Sequence, residues 1–208
     1  MKILSRAIIV AAVVAGVLNT VKASETDYTK GIMIVNEDWY GHQNSTVNYL
    51  LPDDVDGDYW RYRIVQAENP GKELGCTNQY GAIWNGRMYL IAKQEKDPGA
   101  SVVGGRISVT DAKTMKLIKQ LQIIDPSGRQ CDGRAFCGVT DKKGYVSTSN
   151  GIWVLNLETL EIERQVEGSG NPNLDGNDKP NTDSGSSLYY GQTGTMVLAG
   201  GKVFAVHQ

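Results

Sequence analysis

The sequence predicts an all-β protein, a β-propeller built from four-stranded antiparallel blades. Short runs rich in Val, Ile, Tyr and Trp recur between clusters of Gly, Asn and Asp, and no segment after residue 23 keeps a helical apolar period. One hairpin pattern occurs three times, and a second strand-turn-strand pattern occurs twice. Alternating the two patterns gives a meander that must stack on its neighbours to bury both faces.

The first 23 residues have the three parts of a secretory signal peptide in the required order. Lys2 and Arg6 supply the positive charge, residues 7–18 form an apolar run, and Val-Lys-Ala at 21–23 forms a small-residue cleavage site. The apolar run is shorter than the roughly 20 residues that a helix needs to cross a bilayer, so cleavage is favoured over an uncleaved anchor. We therefore expect export and one propeller domain over residues 24–208.

The excess of acidic residues limits the kinds of partner that the protein can bind, and the positions of the cysteines limit how it can be attached to the cell envelope. Without the signal peptide, 18 basic residues face 23 acidic ones, which argues against a nucleic-acid partner. A lipid anchor needs a cysteine at the cleavage site, whereas the first cysteine is Cys76. We expect a periplasmic, cell-surface or secreted protein with no transmembrane segment after cleavage.

The hairpin pattern consists of two apolar segments joined by turn residues. Asn85-Gly86 and Gly200-Gly201 supply the positive φ that two-residue hairpin turns require. The closing glycines Gly86, Gly144 and Gly201 are 58 and 57 residues apart, so the same unit returns at a nearly fixed interval. The three predicted hairpins cover residues 82–92, 136–148 and 195–207.

The second pattern lies between the hairpins. Residues 107–121 (ISVTDAKTMKLIKQL) align with residues 152–166 (IWVLNLETLEIERQV) at an offset of 45, and each segment reads as strand, turn and strand. The first blade has predicted strands near 32–35, 46–51 and 59–65, so the blades contain three, four, four and two strands. This is about three blades and the start of a fourth, while a linear β-solenoid or a sandwich remains an alternative.

Several segments resemble the bacterial YVTN-type propellers. They are Val-Asn-Glu at 35–37 with Trp-Tyr-Gly at 39–41, Leu-Gly at 74–75, and above all residues 144–172. The resemblance is closest to envelope members found with outer-membrane nutrient receptors, some of which bind corrinoids. It implies a seven-bladed propeller and, for surface corrinoid binders, a lipid-anchoring cysteine. This chain departs from both features, so the resemblance implies an incomplete seven-bladed propeller.

The connections of a meander alternate between two faces of the molecule. We letter the strands of each four-stranded unit A to D in chain order. The A–B and C–D turns are short here, and we call their side the turn face. The B–C and D–A connections are long, and we call their side the loop face. Long irregular loops in compact domains are commonly functional, so the sequence predicts a site on the loop face. These connections include residues 37–44, 66–80, 94–105, 125–134 and 167–192.

The first candidate segment is residues 37–44 (EDWYGHQN), which combines stacking surface with polar anchors. We predict ligand contacts from Trp39, Tyr40, His42 and Asn44. The alternative is a turn in which the two aromatic rings cover the edge of the core. A single histidine is a weak basis for a metal or corrinoid-cobalt ligand, so we predict no metal site.

The second candidate set lies just before successive A strands, where its side chains could converge on a channel mouth. We predict ligand contacts from Gln79, Tyr80, Arg134 and Tyr190, because arginine there favours anionic or amide-bearing ligands. The alternative is hydrogen bonding between blades. Neighbours of the same kind are Arg129, Asp132, Tyr189 and Gln192.

Three further patterns leave alternatives open. Cys131 and Cys137 have a spacing that permits a disulfide in an oxidising compartment, yet unpaired cysteines are equally compatible. Residues 54–58 (DVDGD) begin like a calcium loop but have an early glycine and lack the closing Glu, so a solvated turn is favoured. Residues 173–183 read most simply as an insertion.

The sequence contains no nucleophile motif and no phosphate loop, and His42 and His207 are its two histidines. We therefore expect a non-enzymatic protein without a cofactor, which binds a small-molecule ligand, such as a corrinoid, for an envelope uptake receptor. A carbohydrate-active enzyme with carboxylates from different blades and a structural or adhesion module are the alternatives.

Overall fold

The computed structural model describes residues 26–54, 57–174 and 190–207. Within these ranges the chain forms 13 strands in four antiparallel sheets, together with a 3₁₀ turn at Tyr28–Lys30 and one short helix, α1 (Ile64–Glu68). The all-β prediction is confirmed. The strands are β1 (Ile32–Asn36), β2 (Thr46–Asp54) and β3 (Gly57–Arg61); β4 (Cys76–Trp84), β5 (Arg87–Gln94), β6 (Ile107–Asp111) and β7 (Leu117–Leu121); β8 (Gly133–Gly138), β9 (Lys143–Thr148), β10 (Gly151–Asn156) and β11 (Glu161–Gln165); and β12 (Thr193–Ala199) and β13 (Lys202–His207).

Each sheet is a meander in which consecutive strands pair. The sheets contain three, four, four and two described strands, which is the division that the repeats predict. The prediction for residues 59–65 is wrong in its second half, because β3 ends at Arg61 and α1 begins at Ile64. Arg63 turns the chain with a φ of 53°, and Ile64 and Val65 are then fully buried in the core between the first two sheets.

The two-residue hairpin turns have the conformation that their sequences require. Asn85 and Gly86 have φ values of 49° and 72°, and Gly200 and Gly201 have φ values of 55° and 73°. Two successive positive φ values define the turn that matches the twist of the flanking strands. The predicted turns therefore close the β4–β5 and β12–β13 hairpins.

The second repeat is reproduced in side-chain detail. Asp111 and Asn156 each accept hydrogen bonds, through the side-chain Oδ1, from the backbone N–H groups two and three residues ahead. Met115 and Leu160 close the two turns with φ values of 56° and 57°. The β6–β7 and β10–β11 pairs thus share one turn structure at the predicted offset.

The sheets stack face to face, and alternate residues of a strand fill the two cores. Met88 and Leu90 of β5 pack toward the first sheet, whereas Tyr89 and Ile91 pack toward the third. The rings of Tyr89 and Phe136 stack with centroids 4.1 Å apart and an interplanar angle of 8°. Side chains on both faces of the second sheet are therefore buried, as a stack of sheets requires.

The three cysteines are free and buried, so Cys131 and Cys137 do not form a disulfide. Burial raises the pKa of Cys131 to about 12 and raises the pKa of Cys76 above its usual value. These thiols stay protonated at neutral pH. The calcium-like pattern at 54–58 and the insertion at 173–183 lie partly outside the described residues.

No helix in the described ranges is long and apolar enough to cross a membrane. The described residues also contain no group of three or more His, Cys, Asp and Glu side chains that could hold a metal ion.

Candidate functional site

The long connections lie together on one side of the stacked sheets. The loop at 37–45 is joined to the loop at 95–106 by a hydrogen bond of 2.6 Å from the Gly41 N–H to the Asp97 carboxylate. The loop at 95–106 is joined to the loop at 122–132 by an ion pair of 3.1 Å between Arg106 and Asp132. The structure therefore assembles a loop face from three successive sheets.

The third sheet departs from the expected pattern of loop lengths. Its β9–β10 connection is the tight turn at Ser149 and Asn150, although it lies on the loop face. Ser149 forms two hydrogen bonds with Asp132 of the loop at 122–132. The Ser149 N–H donates to the Asp132 carbonyl at 2.8 Å, and the Ser149 hydroxyl accepts from the Asp132 N–H at 2.9 Å. The third sheet therefore has a short connection at the position where the first and second sheets have long loops.

Asp97 is the residue that fixes the loop at 37–45 in place. Its side chain is fully buried and accepts hydrogen bonds from the N–H groups of Gly41 and Gly99. Burial acts to raise the pKa of Asp97, but these N–H donors stabilise its charged form and hold the pKa below its usual value. The carboxylate is therefore ionised at neutral pH and acts as an anchor for the loop.

Asn44 completes the same anchor. Its Oδ1 accepts from the Asp97 N–H at 2.6 Å, and its Nδ2 donates to the Val102 carbonyl at 3.3 Å. The residue is 5% exposed, so its amide is engaged within the protein. Asn44 therefore helps to hold the loop at 37–45 in position, and it is not among the described residues that line the cleft described next.

A cleft of about 450 Å³ lies on the loop face between the loop at 37–45 and the ends of the second and third sheets. Its polar lining combines three carboxylates, a lysine, two amides and two hydroxyl-bearing side chains. The lining residues are Glu37, Asp38, Tyr40, Thr77, Lys93, Gln94, Gln130 and Asp132.

Two polar atoms that belong to this lining are buried without a partner in the described part of the chain. They are Oδ2 of Asp38 and Oε1 of Gln94. Buried polar atoms in native proteins are nearly always hydrogen-bonded, to protein or to another molecule. Both atoms are hydrogen-bond acceptors, so each can accept a hydrogen bond from a donor group of a bound molecule.

Two lining residues also have an unusual backbone conformation. Asp38 has a φ of 62° and Thr77 a φ of 59°. Aspartate tolerates the left-handed region, whereas a β-branched residue there is an outlier that costs about 1–3 kcal/mol. The fold holds Thr77 in this conformation between Cys76 and the cleft. Such strain is concentrated at functional sites in proteins.

A chain of polar contacts on the loop face links three sheets. Gln79 Nε2 donates to the Glu37 carboxylate at 2.9 Å, and Arg134 donates to the side-chain oxygen Oε1 of Gln79 at 3.4 Å. Lys93 lies 3.8 Å from the same Glu37 carboxylate. Gln79 and Arg134 therefore come together from successive sheets, through the kind of hydrogen bonding between sheets that was the alternative to ligand contact.

The aromatic residues of the loop at 37–45 are exposed. Trp39 is 72% exposed, and its ring lies 3.8 Å from the ring of His42 at an angle of 32°. Tyr40 is 53% exposed and lines the cleft. The alternative in which these rings cover the core edge does not describe the structure, because both rings present surface to solvent.

The two remaining candidate tyrosines have other surroundings. Tyr80 packs against the core between the second and third sheets. Tyr190 is 64% exposed, and its carbonyl accepts a hydrogen bond of 3.0 Å from Asn173. It is not among the described residues that line the cleft. Tyr189 lies outside the described residues.

The turn face also contains a cleft, of about 430 Å³, so volume does not identify the site. Its polar groups are engaged: Asn85 donates to Asp141 at 3.0 Å, and Arg87 donates to the Leu157 carbonyl at 2.6 Å. None of its described lining residues has a buried polar atom without a partner. The unpartnered acceptors therefore distinguish the cleft on the loop face.

Sequence reasoning missed Thr77, Lys93, Gln94 and Asp97. The first three lie on strands, where their residue types suit an ordinary sheet surface. Asp97 had a signal, since Asp-Pro-Gly within a long connection indicates an ordered turn. Its contact with a loop 56 residues earlier in the chain has no local signature.

A family described as a domain of unknown function, DUF5074, matches residues 30–208 of the chain. The match covers all four sheets and the whole lining of the cleft. No curated protein matches the chain.

Proposed function

The chain belongs to the DUF5074 family, and we propose that it is an exported, non-enzymatic β-propeller domain that binds a small molecule in the cleft of its loop face. The observation that carries the proposal is the pair of unpartnered acceptors, Asp38 Oδ2 and Gln94 Oε1, in a cleft that the exposed ring of Tyr40 also lines. Pockets that bind small molecules combine a few directed polar groups with apolar and aromatic surface.

The finer fold belongs to the same proposal. Successive four-stranded meanders that stack face to face, with a turn repeated at an offset of 45 residues, support blades of a propeller. In this arrangement A strands face the central axis and the loop face surrounds the mouth of the channel. The hydrogen bonds that join Arg134 to Gln79 and Gln79 to Glu37 support a common position for the loop-face ends of three successive sheets.

The signal-peptide pattern at residues 1–23 supports a role in the cell envelope, and the resemblance to YVTN-type propellers supports the presentation of the ligand to an uptake receptor. Corrinoids are the first ligand to test, because envelope members of that group bind them. Mass spectrometry of the protein recovered from the envelope checks the export step. We expect a mature N-terminus at Ser24, whereas an intact Met1 or an acylated product would contradict it.

A carbohydrate-active enzyme is the second candidate. The observation in its favour is that Asp38 and Asp132 reach one cleft from different sheets, as paired carboxylates in glycosidases do. Hydrolysis of any member of a glycan panel by the parent protein, abolished in the Asp38→Asn and Asp132→Asn variants, would favour this function over simple binding.

The direct test of the proposed function is calorimetric titration of the mature protein with cyanocobalamin and then with neutral oligosaccharides. We expect saturable binding of one molecule per chain without chemical change in the ligand. Binding of no small molecule in the test set, together with retention of envelope proteins, would favour a structural or adhesion module instead.

A further inference from the structure

We infer that the cleft on the loop face takes a ligand that donates hydrogen bonds and carries no net negative charge, an inference that rests on the proposed binding function. The two buried atoms without described partners are a carboxylate oxygen and an amide oxygen. Neither can donate, so a bound ligand satisfies them only through a donor group. A ligand group that merely accepts would leave both atoms buried and unpaired.

The distribution of charge in the cleft excludes anions for a second, independent reason. Of the three lining carboxylates, Asp132 is paired with Arg106 at 3.1 Å, and Glu37 lies 3.8 Å from Lys93. Asp38 receives a neutral donor instead, since Gln43 Nε2 lies 2.9 Å from its Oδ1. No cation within the described ranges lies at ion-pairing distance from Asp38. A bound anion would face an uncompensated carboxylate.

The sequence predicted that arginine on the loop face would favour anionic or amide-bearing ligands, and the contacts of the arginines bear on that prediction. Arg106 is committed to carboxylates on both sides, with Glu95 at 3.0 Å and Asp132 at 3.1 Å. Arg134 donates to Gln79 in the contact that joins the second and third sheets. The arginines therefore organise the walls of the cleft. The inference therefore retains amide-bearing ligands, since amides donate, and sets aside anionic ligands.

Three kinds of small molecule carry the required chemistry: amides, as in the side chains of corrinoids; hydroxyls, as in sugars; and ammonium groups, as in polyamines. The matched probes are cyanocobalamin, maltotriose and spermidine, with citrate as the anionic probe. Each is titrated against the mature parent protein and two variants. We expect at least one of the three donor probes to bind the parent and citrate not to bind.

Asp38→Asn is the decisive variant. Asparagine keeps an oxygen for Gln43, tolerates the positive φ, and replaces the unpartnered acceptor by an amide donor. We expect the affinity for the bound donor probe to fall at least about tenfold, with an unchanged melting temperature. Asp141→Asn, the same substitution beside Asn85 on the turn face, is the matched control and should bind as the parent does.

The Gln94→Glu variant distinguishes a charged ammonium donor from a neutral amide or hydroxyl donor, by its affinity for each probe. A negative charge at the second acceptor raises the affinity for spermidine severalfold and leaves an amide or hydroxyl probe nearly unaffected.

Citrate binding that is lost in the Asp38→Asn variant would overturn the inference and leave the proposed binding function intact. So would a donor probe that binds the Asp38→Asn variant as tightly as the parent. Failure of all four probes to bind the parent would overturn the proposed function and this inference together.

Discussion

At the scale of single residues, the exposed aromatic rings and the buried anchor of the loop have separable roles. Trp39 and Tyr40 contribute surface that the folded protein does not use, whereas Asp97 is surrounded by backbone donors. Substitution at the rings should therefore change binding without changing stability, and substitution at the anchor should change both.

The double substitution of Trp39 and Tyr40 by Ala removes stacking area from the edge of the cleft. We expect ligand affinity to fall by about 1–4 kcal/mol, the range of binding hot spots, because Tyr40 lines the cleft and Trp39 lies between Asp38 and Tyr40 in the chain. The melting temperature should stay close to that of the parent. Titration of the best-binding probe gives the affinity, and differential scanning calorimetry gives the stability.

Trp60 and Tyr62 provide the control for that experiment. They are also exposed aromatics, at 44% and 70%, with rings stacked 6.3 Å apart, but they belong to the outer edge of the first sheet. Their double substitution by Ala should leave affinity unchanged. Equal losses in the two double variants would show that general aromatic surface, rather than the cleft, holds the ligand.

Asp97→Asn tests the anchor through its pH dependence. Folding lowers the pKa of Asp97, so the charged carboxylate stabilises the fold at pH values above the unfolded pKa of about 3.9, and this contribution is lost as pH falls through the folded pKa. The variant should therefore melt several degrees below the parent at pH 7, and the difference should shrink toward pH 2. A difference that is constant from pH 7 to pH 2 would assign the loss to packing instead.

At the scale of structural elements, the repeated turns and hairpins were accessible from the sequence because their signals are local. The residue types of Asn85-Gly86 and Gly200-Gly201 by themselves predict the positive φ values that the structure has. The aligned segments at 107–121 and 152–166 share polar residues at equivalent turn positions. The short helix α1 was not accessible in this way. Its residues Ile64 and Val65 suit a strand, and burial between two sheets decides their conformation.

Because the two turns have the same hydrogen bonds, we expect equivalent substitutions in them to lower the free energy of unfolding by similar amounts. Asp111→Ala and Asn156→Ala each remove an oxygen that accepts two backbone N–H groups, so each should lower the free energy of unfolding by about 1–2 kcal/mol. Urea unfolding measures both losses. A negligible effect of one substitution beside a large effect of the other would show that the two turns are alike in shape only.

The candidate site was accessible only in part for a physical reason. Trp39 and Tyr40 stand out because they share a short polar segment, and the long connections predicted their face. The pairing of Asp97 with a loop 56 residues away, and the unpartnered state of Gln94, depend on how sheets stack. The polar side chain of Asn44 was predicted to contact a ligand, and the sequence held no signal for the hydrogen bonds that this side chain makes with Asp97 and Val102.

At the scale of the whole molecule, burial is concentrated in the middle of the stack. Both faces of the second sheet are covered, whereas β13 pairs only with β12 among the described strands and exposes Phe204 and Val206 at about 60%. Few buried contacts allow local opening at low free energy. Stability should therefore be graded along the stack.

Hydrogen exchange monitored by mass spectrometry checks this gradient. Backbone amides of β5 should be protected with the free energy of global unfolding, and those of β13 should exchange by local opening at much lower protection. Uniform protection of the two strands would show that β13 is covered in solution by a contact beyond the described ones.

The central claim is that the loop face, and not the turn face, holds the ligand. A crystal structure of the protein with its best-binding probe tests this claim most directly, because the two clefts have similar volumes and lie on opposite faces. The account predicts ligand density between Asp38 and Gln94, with ligand donors at hydrogen-bonding distance from Oδ2 and Oε1. Density in the turn-face cleft beside Arg87 and Glu158, with an unoccupied loop face, would contradict it.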